Sequence, residues 1–304
     1  MGKARILLVD DESDILDILS EFLDEEGYDV KTAGDGIAAL EILEQEQFNL
    51  LLSDINMPRM KGFELIAKAK RLYPELKHAL FTAYDVNSYI KLAKEHNIGN
   101  IITKSSPFNF VEFGIFISNI ISGKIFGIDK FFNPEIKISE FTVTNSSDME
   151  EVIEKLFNLL GGLENPKRIK TVLRELITNA VYYGALNRYG DRKDEWEIDF
   201  KLDKNNFIKT CFARDNEKTA ISIIDNKGGL EKKDILYWLE RNILRNKDGI
   251  AVNIYDEHGR GLFISREFID RMIINLNPGI RTEIILLCYF SALSGSKPLI
   301  INEL

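Results

Sequence analysis

Five short apolar runs, at 5–9, 28–32, 48–53, 78–82 and 99–103, alternate with amphipathic stretches at 13–26, 35–46, 63–72, 86–96 and 107–122. In the first of these stretches Ile15, Leu16, Leu19, Phe22 and Leu23 recur at helical spacing. Ser13 or Asp14 is placed to cap that helix, and Gly27 to stop it. Strand–helix units of this length predict an α/β domain, a doubly wound five-stranded parallel sheet with helices on both faces. The carboxyl ends of such strands converge on one crevice, where ligands bind. Here those ends carry Asp10 and Asp11, then Asp54, Thr82 and Lys104. A strand-end cap or a surface charge would explain any one of them, but not matching chemistry at successive strand ends.

Three acids, a hydroxyl and a lysine suit a divalent cation and a phosphoryl group. They do not suit a dry core, where unpaired charge costs several kcal/mol. In this reading Asp11 ligates Mg²⁺ directly, and Asp10 acts through water or by orienting Asp11. Asp54 is both ligand and nucleophile, and its attack forms an acyl phosphate while the metal masks repulsion between the anions. Lys104 neutralises one phosphoryl oxygen and the Thr82 hydroxyl donates to another.

The rest of the 304-residue chain has a different order. Residues 123–137, with glycines and a proline, read as a linker, and Ile125, Phe126, Phe131 and Phe132 make it one that docks on a domain. A strand near 137–144 precedes helices at about 147–160 and 166–184. Strands follow at 195–202, 207–213 and 219–225, then a helix near 231–244, a helix at 260–270 and strands at 272–276 and 281–290. That order predicts an α+β sandwich, with helices on one face of a mixed sheet. The expected domains are 1–122, the linker 123–137, and 138–304.

A net charge of −9 argues against an electrostatic hold on nucleic acid. Cys211 and Cys288 lie in apolar stretches and read as packing in a reduced, cytoplasmic chain. The first strand begins too early to leave room for a signal peptide. The apolar stretch 108–121 carries Glu112 and Asn119, is broken by Gly114 and is shorter than a bilayer span, so no membrane segment is expected.

The segments Leu8-Val-Asp-Asp-Glu12, Ser53-Asp-Ile-Asn-Met-Pro58 with Gly62, Phe81-Thr-Ala83 and Lys104 resemble the receiver domain of two-component response regulators, across 4–122. The resemblance implies that a partner histidine kinase or phosphotransfer protein phosphorylates Asp54. It further implies that Asn56 offers its backbone carbonyl to Mg²⁺, and that Thr82 swings towards the phosphate and reshapes the face around the last strand and helix. Two positions depart from the pattern. The usual Lys-Pro pair is Lys104-Ser-Ser-Pro107, and Ile101 stands where an aromatic residue is usual.

In the second half, Glu175 and Asn179 lie four apart on one helix face. Ile221-Ser-Ile-Ile-Asp-Asn-Lys-Gly-Gly-Leu230 is a strand ending in Asp225 and paired glycines. Glu257-His-Gly-Arg-Gly-Leu-Phe-Ile264 is a glycine loop opening a helix, a place where backbone N–H groups can hold phosphates. In this order they resemble the GHKL ATP-binding fold, across about 140–290, and most nearly its anti-sigma-factor serine kinases. The resemblance implies that Asn179 ligates ATP-bound Mg²⁺ and that Asp225 bonds the adenine amino group. Gly229 would admit the backbone to the nucleotide, Gly259 and Gly261 would shape the phosphate loop and lid, and Thr282 would support the adenine end. Glu175 would be the general base on a substrate hydroxyl. Lys227 stands where that pattern has its first glycine.

His78, His96 and His258 are the only histidines, and no helical hairpin separates the two halves, so a histidine autokinase is not expected. The reading is a response regulator controlling an ATP-binding, kinase-like output. A sigma factor or an anti-sigma antagonist is the expected partner, and the apolar helix at 107–122 is a surface for a homodimer. The alternative is an output that senses nucleotide or sequesters a partner without catalysis.

Overall fold

The computed structural model describes residues 2–105, 107–186, 199–243, 260–293 and 295–304. The chain forms two compact units, one of Met1–Ile125 with Ser294–Ile300, the other of Phe126–Leu293 with Ile301–Leu304.

In the first unit β1 (Arg5–Val9), β2 (Asp29–Ala33), β3 (Leu50–Asp54), β4 (Lys77–Thr82) and β5 (Asn100–Thr103) pair in parallel, in the order β2-β1-β3-β4-β5. β3 is buried along its whole length, as helices on both faces require. The helices are α1 (Ser13–Glu25), α2 (Gly36–Gln45), α3 (Gly62–Leu72), α4 (Ile90–Glu95) and α5 (Phe110–Ser122). Neither Ser13 nor Asp14 caps α1: Glu12 occupies the cap position and its side chain makes no capping bond. Asp35 does cap α2, accepting from the N–H groups of Ile37 and Ala38. The stretch 86–96 divides into a 3₁₀ turn, Val86–Tyr89, and α4, because the Asp85 carboxylate caps the turn through Asn87 N–H. α5 starts at Phe110 rather than 107, where Asn109 accepts from Glu112 N–H, and ends on Gly123 at φ 71°.

A strand absent from the sequence expectations joins this unit. Within β11 (Leu299–Glu303), Leu299 pairs with Ile101 and Ile300 with Asn100, antiparallel to β5. Residues 301–304 belong to the second unit, where Leu304 N–H donates to the Leu276 carbonyl.

The second unit contains β6 (Ser139–Val143), β7 (Ile208–Arg214), β8 (Lys218–Asp225), β9 (Arg271–Asn277) and β10 (Arg281–Tyr289), in the order β9-β10-β8-β7-β6. Described pairings among these strands are antiparallel, not mixed, and tight turns at 215–217 and 278–280 require this of β7 with β8 and of β9 with β10. Its helices are α6 (Ser146–Leu159), α7 (Pro166–Asn179), α8 (Lys232–Ile243) and α9 (Arg260–Phe268). α7 stops at Asn179 and continues as a π-helical segment, Ala180–Ala185, so 166–184 is not one regular helix. The expected strand at 195–202 lies mostly outside the described residues, and of it Lys201 forms an isolated bridge with Asn145. β10 is not the last strand.

Segment 126–138 belongs to the second unit. Gly127 N–H donates to Glu283 at 2.8 Å, Arg281 lies over the Phe126 ring at 4.4 Å, and Lys218 lies over Phe132 at 5.2 Å. Glu283 is buried, and it also accepts from Asn275 and Arg281 at 3.4 Å each. Among the described residues no helix is long and apolar enough to cross a membrane. Cys211 and Cys288 are buried and unbridged.

Candidate functional site

In the first unit β1, β3, β4 and β5 each deliver one polar side chain at or just past the carboxyl end. Asp10 follows β1 and is buried, while neighbouring Asp11 is exposed. Asp54 ends β3 at 8% exposure and Thr82 ends β4 at 0%. Lys104 follows β5, and its backbone N–H donates to the Thr82 carbonyl at 2.7 Å. The Lys104 ammonium is the hub. Nζ lies 2.7 Å from Asp10 Oδ2, 2.8 Å from Asp54 Oδ1 and 3.7 Å from Glu12 Oε1.

Close backbone contacts fix the Asp54 side chain. Asn56 N–H donates to Asp54 Oδ2 at 2.5 Å, and the Asp54 carbonyl accepts from Ser53 Oγ at 2.8 Å. A Cβ on Gly62 would stand 2.1 Å from that carbonyl, so only glycine admits the start of α3 so close to the site. Thr82 Oγ1 accepts from Tyr84 N–H at 3.1 Å. Tyr89 was not anticipated: its hydroxyl accepts from Asn56 Nδ2 at 2.5 Å, and a lone aromatic early in a helical stretch gave no sign of it.

Burial raises the Asp54 pKa above its ordinary value, against the pull of Lys104 and the Asn56 N–H, and the Asp10 charge adds to the rise. For Lys104 burial works downward, but the bonds to Asp10 and Asp54 outweigh it and raise the pKa. The lysine therefore stays charged between two carboxylates.

Among the described residues no three His, Cys, Asp or Glu side chains gather as a metal-holding group. The expected acid trio is thus a converging pair, Asp10 and Asp54, with Asp11 exposed beside it. That donor set still fits Mg²⁺, which takes one or two carboxylates and completes its shell with water and phosphate oxygens.

In the second unit the predicted residues fall into two groups, Glu175 with Asn179 and Gly261, and Asp225 with Thr282. Asn179 ends α7, where its Nδ2 donates to Glu175 Oε1 at 3.2 Å. Among the described residues its buried Oδ1 has no hydrogen-bond partner, the state of an oxygen that a cation would satisfy. Gly261 in the first turn of α9 meets Glu175 directly: a Cβ there would stand 1.9 Å from Oε1. Its observed role is close helix approach. Gly259 lies outside the described residues. Tyr183, in the π-helical segment, is pushed up to about 12 by burial, with the Glu175 charge adding to it.

Asp225 ends β8 and is buried. Its Oδ1 accepts from the N–H groups of Lys227 at 3.0 Å and Gly228 at 2.8 Å, and burial raises its pKa in spite of these bonds. A Cβ on Gly184 would come within 2.8 Å of Asp225 Cγ, which sets the π-helical segment against the end of β8. Thr282 is buried on β10, in register with Asp225. Gly228, at φ 60°, carries the sharp turn, whereas Gly229 is half-buried beside it and Lys227 is exposed.

A cavity of about 380 Å³ in this unit is lined in part by Asp225 and Asn226 at the end of β8. Its sheet lining includes Glu140, Lys209, Cys211, Ile224 and Glu283, with Gly127 from the docked segment. Glu140 is in register with Cys211, and Lys209 and Glu283 with Ile224, so they share one sheet face. Asp225, one residue on from Ile224, turns its carboxylate towards Gly184 on the other face. Neither Glu175 nor Asn179 lines the cavity.

Comparison with known proteins assigns a family to residues 6–112. The family model for the response regulator receiver domain matches residues 6–112. Response regulator receiver protein CpdR of Brucella abortus is 41% identical over 80 residues, 26% of this chain and 67% of that protein. Sporulation initiation phosphotransferase F of Bacillus subtilis is 32% identical over 112 residues, 37% of this chain and 89% of that protein. Among solved structures, a CheY-like receiver domain protein from Methanospirillum hungatei is 34% identical, with a TM-score of 0.38, over 40% of this chain and 96% of that one. TrrA of Thermotoga maritima, solved with Mg²⁺-BeF, is also 34% identical, with a TM-score of 0.35, over 38% of this chain and 98% of that one.

The chain belongs to the response regulator receiver family, through a two-component receiver domain of the kind that histidine kinases phosphorylate. The family-model match, residues 6–112, falls within the first unit.

Proposed function

We propose that Asp54 is the phosphoryl acceptor and that the second unit is an ATP-binding output of the GHKL type, nearest the anti-sigma-factor serine kinases. The carrying observation is the Lys104 ammonium placed between Asp10 and Asp54. An Asp54 carboxylate oxygen attacks phosphorus on a partner's phosphohistidine. The P–O bond forms as the P–N bond breaks, and the leaving imidazole takes the electron pair and a proton. Lys104 then has a phosphoryl oxygen to neutralise, and the Thr82 hydroxyl can donate to another. Asp10, Asp11, Asp54 and the Asn56 carbonyl would hold Mg²⁺, which supplies charge masking between the two anions.

For the output domain, support comes from the buried Asn179 Oδ1, which has no partner among the described residues, the bond from Asn179 to Glu175, and the buried Asp225 at the strand end. In that reading Asn179 holds ATP-bound Mg²⁺, Asp225 the adenine and Glu175 the proton of a substrate Ser or Thr hydroxyl. Thr282, Gly229, Gly259 and Gly261 complete the pocket. The substrate is a sigma factor or its antagonist. A non-catalytic module is the second reading, favoured by the way α9 backs onto the Glu175 carboxylate and by Lys227 at a glycine position. Calorimetry with Mg-ATP is the first test, and no heat of binding contradicts both a kinase and a nucleotide sensor. If ATP binds but Glu175→Ala leaves transfer to a candidate antagonist unchanged, the catalytic role of Glu175 is wrong.

A further inference from the structure

Asn56, in the loop between β3 and α3, is tied through two of the substituents on its Cα. Its backbone N–H donates to Asp54 Oδ2 at 2.5 Å, and its side-chain Nδ2 donates to the Tyr89 hydroxyl, also at 2.5 Å. The base of the loop is closed by Gly62 N–H on the Ile55 carbonyl at 2.9 Å and by Ile55 N–H on the Phe81 carbonyl at 3.2 Å. With its N–H and its side chain both held, the Asn56 carbonyl keeps one freedom, rotation about ψ.

Tyr89 is itself firmly mounted. It is half-buried, and its ring stacks on Phe63 with centroids 6.1 Å apart and planes at 29°. Phe63 is buried in the first turn of α3, next to the Gly62 that meets the Asp54 carbonyl. The 3₁₀ turn Val86–Tyr89 aims the side chain. Such a turn advances about 120° per residue against about 100° in an α-helix, so a regular helix from Val86 would rotate Tyr89 by about 60°. A tyrosine suits the task, because its ring packs on an apolar neighbour while its one polar tip reaches Asn56.

We propose that Tyr89 is a positioning residue for Mg²⁺ at the phosphoryl site, acting through the Asn56 side chain on the Asn56 carbonyl. This rests on the reading of Asp54 as phosphoryl acceptor and of that carbonyl as a metal ligand. Mg²⁺ demands near-ideal octahedral geometry, so a ligand already held in one direction binds it without a further cost of ordering. The two buried carboxylates share the Lys104 ammonium and Asp11 is exposed, so a pre-set neutral ligand matters the more here. Tyr89 need touch neither the ion nor the phosphoryl group. Losing its hydroxyl frees the Asn56 side chain while the ring stays on Phe63. The fold then holds, and the direction of the carbonyl loosens. Bonds that orient a metal ligand from outside the shell are worth about tenfold to a hundredfold in metal affinity.

Calorimetry of Mg²⁺ alone with the full chain, without a phosphoryl donor, reads the effect apart from phosphorylation. Asp54→Asn marks the site, since the heat that belongs to it should disappear in that variant. Tyr89→Phe is expected to weaken this binding about tenfold. The Mg²⁺ concentration for half-maximal labelling by acetyl phosphate should rise by a similar factor, while labelling at saturating Mg²⁺ returns to the wild-type rate. Asn56→Ala cuts the same tether from its other end, so adding Tyr89→Phe to it should weaken Mg²⁺ binding no further. Equal Mg²⁺ affinity in wild type and Tyr89→Phe, or full additivity in the double variant, overturns the positioning role and leaves the acceptor reading standing. A wild-type Mg²⁺ heat that is absent, or that survives Asp54→Asn, removes the metal reading and the role of Tyr89 together.

Discussion

Asp54 is held under opposing demands that its substitutions should separate. Its carboxylate is buried and lies near the charge of Asp10, so its folded pKa stands above the ordinary value. Where the folded value of an acid is the higher one, the native state binds more protons than the unfolded chain. Stability is then lost as pH rises from the ordinary carboxylate range through the raised value. Asp54→Asn should therefore unfold at a higher temperature than wild type at pH 7 without Mg²⁺, and the gap should close as pH falls into that range. Thermal unfolding across pH measures this, and an equal gap at every pH contradicts it. Lys104→Met strips the counterion from both Asp10 and Asp54, and should cost about 3 kcal/mol in denaturant unfolding of the first unit. Gly62→Ala pushes a methyl into the Asp54 carbonyl and should cost about 1–3 kcal/mol, with slower phosphorylation read by intact mass. The sequence made Asp10, Asp54, Thr82 and Lys104 legible because each follows its own apolar run. It placed Asp11 in the crevice as well, whereas the side chain is exposed, because a residue next to the strand end can face solvent as easily as the crevice.

At the scale of elements, periodicity was readable wherever a single tertiary environment spanned the whole element. β3 is buried along its length and β8 from Thr219 onward, and both appear in the sequence as mostly apolar stretches. Deviations arise where local bonds compete with the pattern. Asp85 cuts a 3₁₀ turn from the helix at 86–96, and Asn109 delays α5 past Pro107. The close approach of Gly184 to Asp225 accompanies the change from α7 to the π-helical segment, and the spacing of Glu175 and Asn179 carries no sign of it. β11 is a five-residue strand that the sequence reading did not anticipate. The turn after β8 offers a clean test at this scale. Gly228→Ala puts a Cβ 2.4 Å from the Asn277 carbonyl at a positive φ, and should destabilise the second unit by about 1–3 kcal/mol in denaturant titration.

For the whole molecule, the two-part organisation shows in the sequence as a change of element order, from strict alternation to grouped helices and strands. What order alone cannot convey is that Ser294–Ile300, near the far end of the chain, belongs with the first unit. Nor can it convey that the segment from Phe126 anchors on buried Glu283 and so joins the second. Glu283 gave no warning, since an acid within a strand reads as an outward-facing position until the covering segment is known. The central claim concerns the first unit, that Lys104, Asp10 and Asp54 together form a phosphoryl-accepting centre. Intact mass of the full chain after acetyl phosphate and Mg²⁺ tests it most directly. The account predicts one added phosphoryl group, absent in Asp54→Asn and lost when Mg²⁺ is chelated beforehand; equal labelling of wild type and Asp54→Asn, or none in wild type, would contradict it.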